Sequence, residues 1–329
     1  MNASQQFLNK IGIRFPVIQA PMVGVATPEL VAEVSNAGGL GSLGIGASAV
    51  AQARQLIEQT RALTNKPFNV NVFCHEPAKH DAQSEAAWLE HLSPLFAKFN
   101  ITPPKQLNEI YQTFLADDDA FNLLLELRPA VVSFHFGLPS VERIRALQDV
   151  GITLFATATN LREAMLIEQA GIDAVIAQGI EAGGHRGCFN PDITDEKLST
   201  AVLTRLLTQR TQLPVISSGG IADGQGIQAM MTLGAVAAQL GSAFILCPES
   251  AASEGYRQML RSERAAQTCL TSGLSGRPAR GIVNEFISHC EMAGSVTPAA
   301  YPLAYDGAKQ IISAAAKQGN NEYAAYWTG

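Results

Sequence analysis

Read for period, the chain is a train of short apolar runs bounded by Gly, Pro, Asn or Asp, most of them followed by a stretch with helical spacing. Eight runs stand out, over residues 16–20, 39–45, 68–73, 130–134, 152–156, 174–178, 214–217 and 235–239. Runs such as Ala174-Val175-Ile176-Ala177 and Val215-Ile216 are continuously apolar instead of alternating, which predicts parallel strands covered on both faces. Eight strand-helix repeats predict an α/β fold closed into a (β/α)8 TIM barrel. Two segments depart from the alternation. Residues 78–128 are rich in helix formers, with Pro94, Pro103 and Pro104 as breaks, and residues 247–329 read as helical around a loop marked by Gly273, Gly276, Pro278 and Gly281. Barrels accept insertions at the C-terminal ends of their strands. Both segments are therefore read as helical excursions forming a lid over the mouth of a single domain, 1–329.

Gly39-Leu40-Gly41-Ser42-Leu43-Gly44 spells GxGxxG, but a dinucleotide fingerprint needs a strand before the glycines and a helix after them. Here the helical pattern (29–36) comes first and the apolar run second. These glycines are read as capping a helix and letting the second strand start in a crowded layer.

Composition narrows the partners. With 47% hydrophobic and 16% charged residues the chain has material for a large core and lacks the profile of a disordered one. A net charge of −6 without a long basic run argues against nucleic acid or an anionic membrane and favours small molecules. The start shows no charged segment followed by an apolar one, and no apolar stretch is long enough to span a bilayer, so a cytoplasmic location is expected. The five cysteines form no CxxC pair, which suits reduced thiols better than disulfides or zinc, and no metal is expected.

In a closed parallel barrel the residues just past the strand ends share one pocket. The first strand ends in Gln19-Ala20-Pro21-Met22, the third supplies Asn69 and Asn71, the fourth Ser133 and His135, the fifth Thr157 and Thr159, and the sixth Gln178. The seventh and eighth end in Ser218-Gly219-Gly220 and Gln239-Leu240-Gly241-Ser242. Bare backbone N–H groups at these two turns suit a phosphate cradle that needs no lysine; the plain alternative is glycines that only make tight turns. Past the sixth strand, Gln178 can pair with a ring that both donates and accepts hydrogen bonds, and Gly183-Gly184 lets the backbone approach a flat cofactor. His185 is expected to project from a bent loop as an acid, a base or an anion partner, with a structural histidine as the alternative. His75 and His135 lie near the pocket, with a satisfied core histidine as the alternative for both and the preferred reading for His75.

The blocks Ile18-Gln19-Ala20-Pro21-Met22, Asn69 to His75, Gln178 to Gly187, Ser217 to Gly224, Ala238 to Phe244 and Tyr301 to Lys309 occur in an order that resembles the nitronate monooxygenases, class I, formerly called 2-nitropropane dioxygenases. The resemblance spans most of the chain. It implies FMN, with Pro21 and Met22 at the flavin ring and Asn71, Gln178, Gly183, Gly220 and Gln239 to Ser242 around the cofactor. It implies a catalytic His185 and a substrate side lined by Tyr301, Tyr305 and Lys309. Spacing supports the last three, since positions four apart share a helical face; plain surface residues are the alternative. Ser242 stands where the family often has Thr, which keeps the hydroxyl.

The reaction so implied is oxidation of a small anionic nitronate, such as propionate 3-nitronate, by dioxygen to a carbonyl compound and nitrite, a route of nitroalkane detoxification. An FMN-dependent NAD(P)H:quinone or enoyl-thioester reductase is the nearest alternative, because such barrels share these loops. A non-catalytic FMN-binding protein and a phosphate-sugar enzyme without flavin complete the field. The sequence leaves monomer and homodimer both open.

Overall fold

The computed structural model describes residues 3–329, and its chain divides into two compact units. The first holds residues up to 76, 113–182 and 186–252; the second holds 77–112, 183–185 and 253–329.

In chain order the strands are β1 (Val17–Gln19), β2 (Gly41–Gly44), β3 (Phe68–Phe73), β4 (Val131–His135), β5 (Thr153–Ala158), β6 (Ala174–Gln178), β7 (Gly184–His185), β8 (Val215–Ser218), β9 (Ala237–Leu240), β10 (Thr268–Thr271) and β11 (Ala279–Ile282). Every strand of the first unit sits within a residue or two of one of the apolar runs. All eight pair in parallel in the order β1-β9-β8-β6-β5-β4-β3-β2. The ring closes between its ends through Gln19 N–H to the Leu40 carbonyl at 2.9 Å and Leu40 N–H to the Val17 carbonyl at 3.0 Å. The first unit is therefore the (β/α)8 barrel.

Most of its helices start where the sequence supplies a capping oxygen: Thr27, Ser140, Asn160, Ser199 and Asp223 each accept a backbone N–H of the first turn. Between strands and helices lies the main apolar core, with Val70, Val132, Leu154 and Val175 packed in one cluster with Ile57, Leu147, Ile167 and Leu203. The helix Asp118–Leu127, within the first of the expected excursions, buries Leu123 and Leu124 in this same core. The helix Ala3–Ile11 buries Phe7, Leu8 and Ile11 among strand residues such as Phe155, Ile176 and Ile216. A second set of buried strand residues is polar, and linked: Gln19 Oε1 accepts Ser42 N–H at 2.9 Å, and Asn69 Nδ2 donates to the hydroxyls of Ser42 at 3.2 Å and Ser133 at 3.0 Å.

The GxGxxG letters behave as the order of elements requires. The helix Pro28–Asn36 precedes them and β2 follows. A Cβ on Gly41 would lie 2.2 Å from the Val31 carbonyl oxygen, so glycine here lets helix and strand touch.

The second unit packs Trp88, Leu92, Phe96, Phe286, Leu303 and Ile311 in a core of its own, drawn from the helices Ala82–Lys98, Glu285–Cys290 and Leu303–Lys317. The C-terminal segment is not helical throughout: β10 and β11 form an antiparallel hairpin, and β7 adds to it as a third strand. Among the described residues no helix is long and apolar enough to cross a membrane.

Candidate active site

In the barrel unit, parallel register sets the strand-end residues side by side. Gln178 is level with Ser218, Ser218 with Gln239, and Gln19 with Leu240. Register partners point their side chains the same way. Gln239 Nε2 accordingly donates to Ser218 Oγ at 3.3 Å, while the buried Gln239 Oε1 has no hydrogen-bond partner. A buried amide oxygen without a donor is costly unless a ligand supplies one. Asn71 is held by bonds from its Nδ2 to the Ser133 carbonyl at 3.1 Å and hydroxyl at 2.9 Å.

Gly219 and Gly220 have φ of +124° and +63°, a backbone that disfavours side chains. Thr200 Oγ1 donates to the Gly219 carbonyl at 3.0 Å, and Glu181 accepts the Thr200 N–H at 2.8 Å, so the turn is braced from behind. Gly241 is different. Its φ of −106° makes no demand for glycine, and a Cβ would meet nothing nearer than Ala20 Cβ at 3.8 Å and Met22 Sδ at 4.0 Å. Among the described residues no carbonyl accepts the N–H groups of Gly219, Gly220 or Gly241. A glycine that neither conformation nor packing requires, beside three bare donors and an orphaned acceptor, fits a ligand with an anionic group and a hydrogen-bonding ring.

Two sequence expectations change in detail. Gln178 Oε1 accepts Gly187 N–H at 2.7 Å, so the amide oxygen holds its own loop in place. A Cβ on Gly183 would fall 2.6 Å from Thr328 Cα; the close approach at that glycine is to the chain's own C-terminal residues. Arg186 is fully buried, bonded to Asp195 at 2.8 Å and to the Gln178 carbonyl at 2.9 Å, which fixes the segment after the histidine. His135 Nδ1 lies 3.1 Å from Thr157 Oγ1 at the barrel strand ends, and His75 is fully buried edge-on to Phe136, as a core histidine would be.

In the second unit, His185 does not project from a bent loop. It is the last residue of β7, level with Ala279 of β11, because two residues of the chain enter the small sheet. Its half-buried ring is ringed by aromatics: Tyr301 at 5.8 Å and Tyr305 at 6.1 Å, both edge-on, and Trp327 at 5.4 Å. Tyr111 stands edge-on to Tyr305 at 5.8 Å, and Tyr256 donates to the Trp327 carbonyl at 2.5 Å. Lys309 Nζ rests over the Tyr111 ring at 4.6 Å and the Tyr305 ring at 5.3 Å. The rings attract the cation but hydrate it poorly, and desolvation lowers the lysine pKa. Burial raises the Tyr111 and Tyr301 phenols well above their usual range, so both stay neutral donors. Tyr301 lies just before the helix Leu303–Lys317, so only Tyr305 and Lys309 share a helical face.

Tyr111, Tyr256, Ser275 and Trp327 were not singled out in the sequence. Ser275 falls in a glycine-rich stretch that reads as a loop, and the aromatics sit in no motif; only the fold brings them to His185. No group of three or more His, Cys, Asp or Glu side chains able to hold a metal occurs among the described residues.

The family profile described as Nitronate monooxygenase matches residues 4–329. A nitronate monooxygenase from Paraburkholderia phytofirmans is 54% identical over 97% of this chain and 87% of its own, and one from Pseudomonas aeruginosa is 52% identical over 99% and 93%. Among solved structures, a nitroalkane oxidase from Streptomyces ansochromogenes superposes with a TM-score of 0.88 at 35% identity, covering 98% of this chain and 91% of its own. With barrel, strand-end glycines and histidine in place, the chain belongs to the nitronate monooxygenase family, flavin-dependent enzymes that oxidise nitronates.

Proposed function

We propose that the flavin is FMN and that the chain uses it, with dioxygen, to convert a small anionic alkyl nitronate to a carbonyl compound and nitrite. Gly219, Gly220, Gly241 and Ser242 hold the phosphate through backbone N–H groups, aided by the hydroxyl of Ser218. Gln239 and Leu240, with Pro21, Met22 and Asn71, take the rest of the cofactor, while Gln178 shapes the loop leading to Gly183 and Gly184. Bound FMN would supply the redox chemistry of the oxidation. The observation that carries the reading is the ring of aromatics around His185 with the Lys309 ammonium set against it.

These residues do the rest. Lys309 and the neutral Tyr301 and Tyr305 hydroxyls meet the negative oxygens of the substrate, which the acidic chain as a whole does not attract. His185 removes the α-proton when a neutral nitroalkane is bound, a task suited to an imidazole, which can act as a general base. Five free cysteines, three of them buried, suit a reducing compartment such as the cytoplasm.

The test compares holoenzyme spectra under anaerobic conditions. Propionate 3-nitronate is expected to bleach the flavin while NADH leaves it oxidised; prompt bleaching by NADH alone would favour the reductase reading instead. His185→Asn is expected to stay yellow and to lose about 100- to 10,000-fold in kcat/KM with a neutral nitroalkane. Full turnover in that variant removes His185 from the chemistry.

A further inference from the structure

His185 Nε2 lies 2.9 Å from the hydroxyl of Ser275, a residue only 1% exposed. A serine hydroxyl has one proton to give and two lone pairs to receive with. Two neighbours already lay claim to them: the Arg277 carbonyl oxygen at 3.1 Å, which can only accept, and the Arg277 N–H at 3.2 Å, which can only donate. The hydroxyl proton goes to the carbonyl and one lone pair takes the amide. What remains toward the imidazole is a lone pair, so Nε2 must bring the proton.

The turn that carries Ser275 has little freedom to rearrange. Gly276 has a φ of +89°, and a Cβ there would lie 2.4 Å from the Ala299 carbonyl oxygen and 2.6 Å from Tyr301 N. Gly276 N–H is bonded to the Ser272 carbonyl at 2.8 Å. The serine is therefore fixed by backbone against the segment that also delivers Tyr301.

We infer that Ser275 is a positioning residue that holds neutral His185 as the Nε2–H tautomer and so makes Nδ1 the nitrogen that takes up a proton. The catalytic part of this rests on the reading of His185 as the base. In that step the substrate Cα–H bond breaks, the proton forms an N–H bond at Nδ1, and the electron pair stays on the substrate as the nitronate. The imidazolium then carries protons on both nitrogens, and the same Ser275 lone pair goes on accepting Nε2–H. Among the groups facing the ring are Tyr301, Tyr305 and Trp327, with Arg277 over the Tyr301 ring and Lys309 over that of Tyr305. Burial keeps the two phenols protonated, so they add no charge near neutrality.

The test is nitrogen NMR on holoenzyme labelled with [15N]histidine, the His185 signals being those lost in His185→Asn. Wild type above the imidazole pKa is expected to show a protonated Nε2 and an unprotonated Nδ1, and Ser275→Ala a mixture of tautomers. A protonated Nδ1 in wild type overturns the inference, and so does an unchanged tautomer in Ser275→Ala. In kinetics with a neutral nitroalkane, Ser275→Ala is expected to lose about 10-fold in kcat with KM little changed. The rising limb of its pH profile should also move to lower pH, since the cation has lost an acceptor; a mere packing defect lowers the plateau without moving the limb. If His185→Asn keeps full turnover the base assignment fails, while the NMR result still decides the tautomer.

Discussion

Replacing Gly241 by alanine separates what the fold needs at a strand end from what a ligand needs. The new methyl would have at least 3.8 Å to its nearest protein neighbour, and the backbone at φ −106°, ψ −73° accepts a side chain. Two small terms act on stability. Alanine restricts the unfolded chain, worth about 0.4–1 kcal/mol in favour of folding. It is also a poorer residue than glycine at a helix N-cap, a cost of similar size. Net stability should move by less than about 1 kcal/mol, or a few degrees in Tm at most for a chain this long. Cofactor affinity should not be spared. If the phosphate rests against the Gly241 N–H, a methyl beside it overpacks the contact by about 1–3 kcal/mol, or about 5- to 150-fold in Kd. FMN fluorescence quenching on titration of the apoprotein reads the affinity, and a thermal melt of the same sample reads the fold. Gly41→Ala is the contrasting case: its Cβ would meet the Val31 carbonyl at 2.2 Å, so it should destabilise by about 3 kcal/mol or more. An intact Gly241→Ala protein that binds FMN as tightly as wild type refutes the assignment of the phosphate to this turn.

Two further outcomes follow from the second unit. Lys309→Met should lose about 10- to 100-fold in kcat/KM for a nitronate; and because desolvation lowers the wild-type lysine pKa, KM should begin to rise on the alkaline side at a lower pH than an ordinary lysine dictates, a limb that Lys309→Arg should move upward. The His91 ring lies 4.6 Å from that of His289, tilted against it, with its Nε2 buried without a partner, and desolvation together with the neighbouring imidazole lowers its pKa. The fold thus favours the neutral ring: this contribution to stability is complete above the unfolded value of about 6.5 and is lost as pH falls below it. Melts between about pH 8 and pH 5 should show His91→Phe losing less stability on acidification than wild type; parallel curves would remove the pair as the cause.

The barrel was legible because its signals are local. Each strand is a short apolar run with its own stops, and most of the helices between strands carry their own cap, so Val70 or Val175 can be assigned without knowing its partners. The strand-end glycines were legible for the same reason: position along a strand fixes which way they face. The surroundings of His185 were not, since they come from distant parts of the chain. Tyr111, Ser275 and Trp327 sit in segments with no periodic pattern, and β7 is two residues long, too short to register as a strand. Its partner β11 follows some ninety residues later, inside a glycine-rich stretch that reads as a loop. A glycine also looks the same in sequence whether open space or other backbone lies against it, and only coordinates tell Gly241 from Gly183.

The path of the chain between its units sets a limit on how this enzyme can be taken apart. Segment 183–185 leaves the barrel chain, pairs with β11 and returns, so the histidine is stitched into one body while tethered at both ends to the other. Deleting 77–112 and 253–329 would not yield a minimal barrel but one trailing a strand bereft of its sheet. Chimeras between relatives must therefore exchange three pieces together, and the shortest of them carries His185.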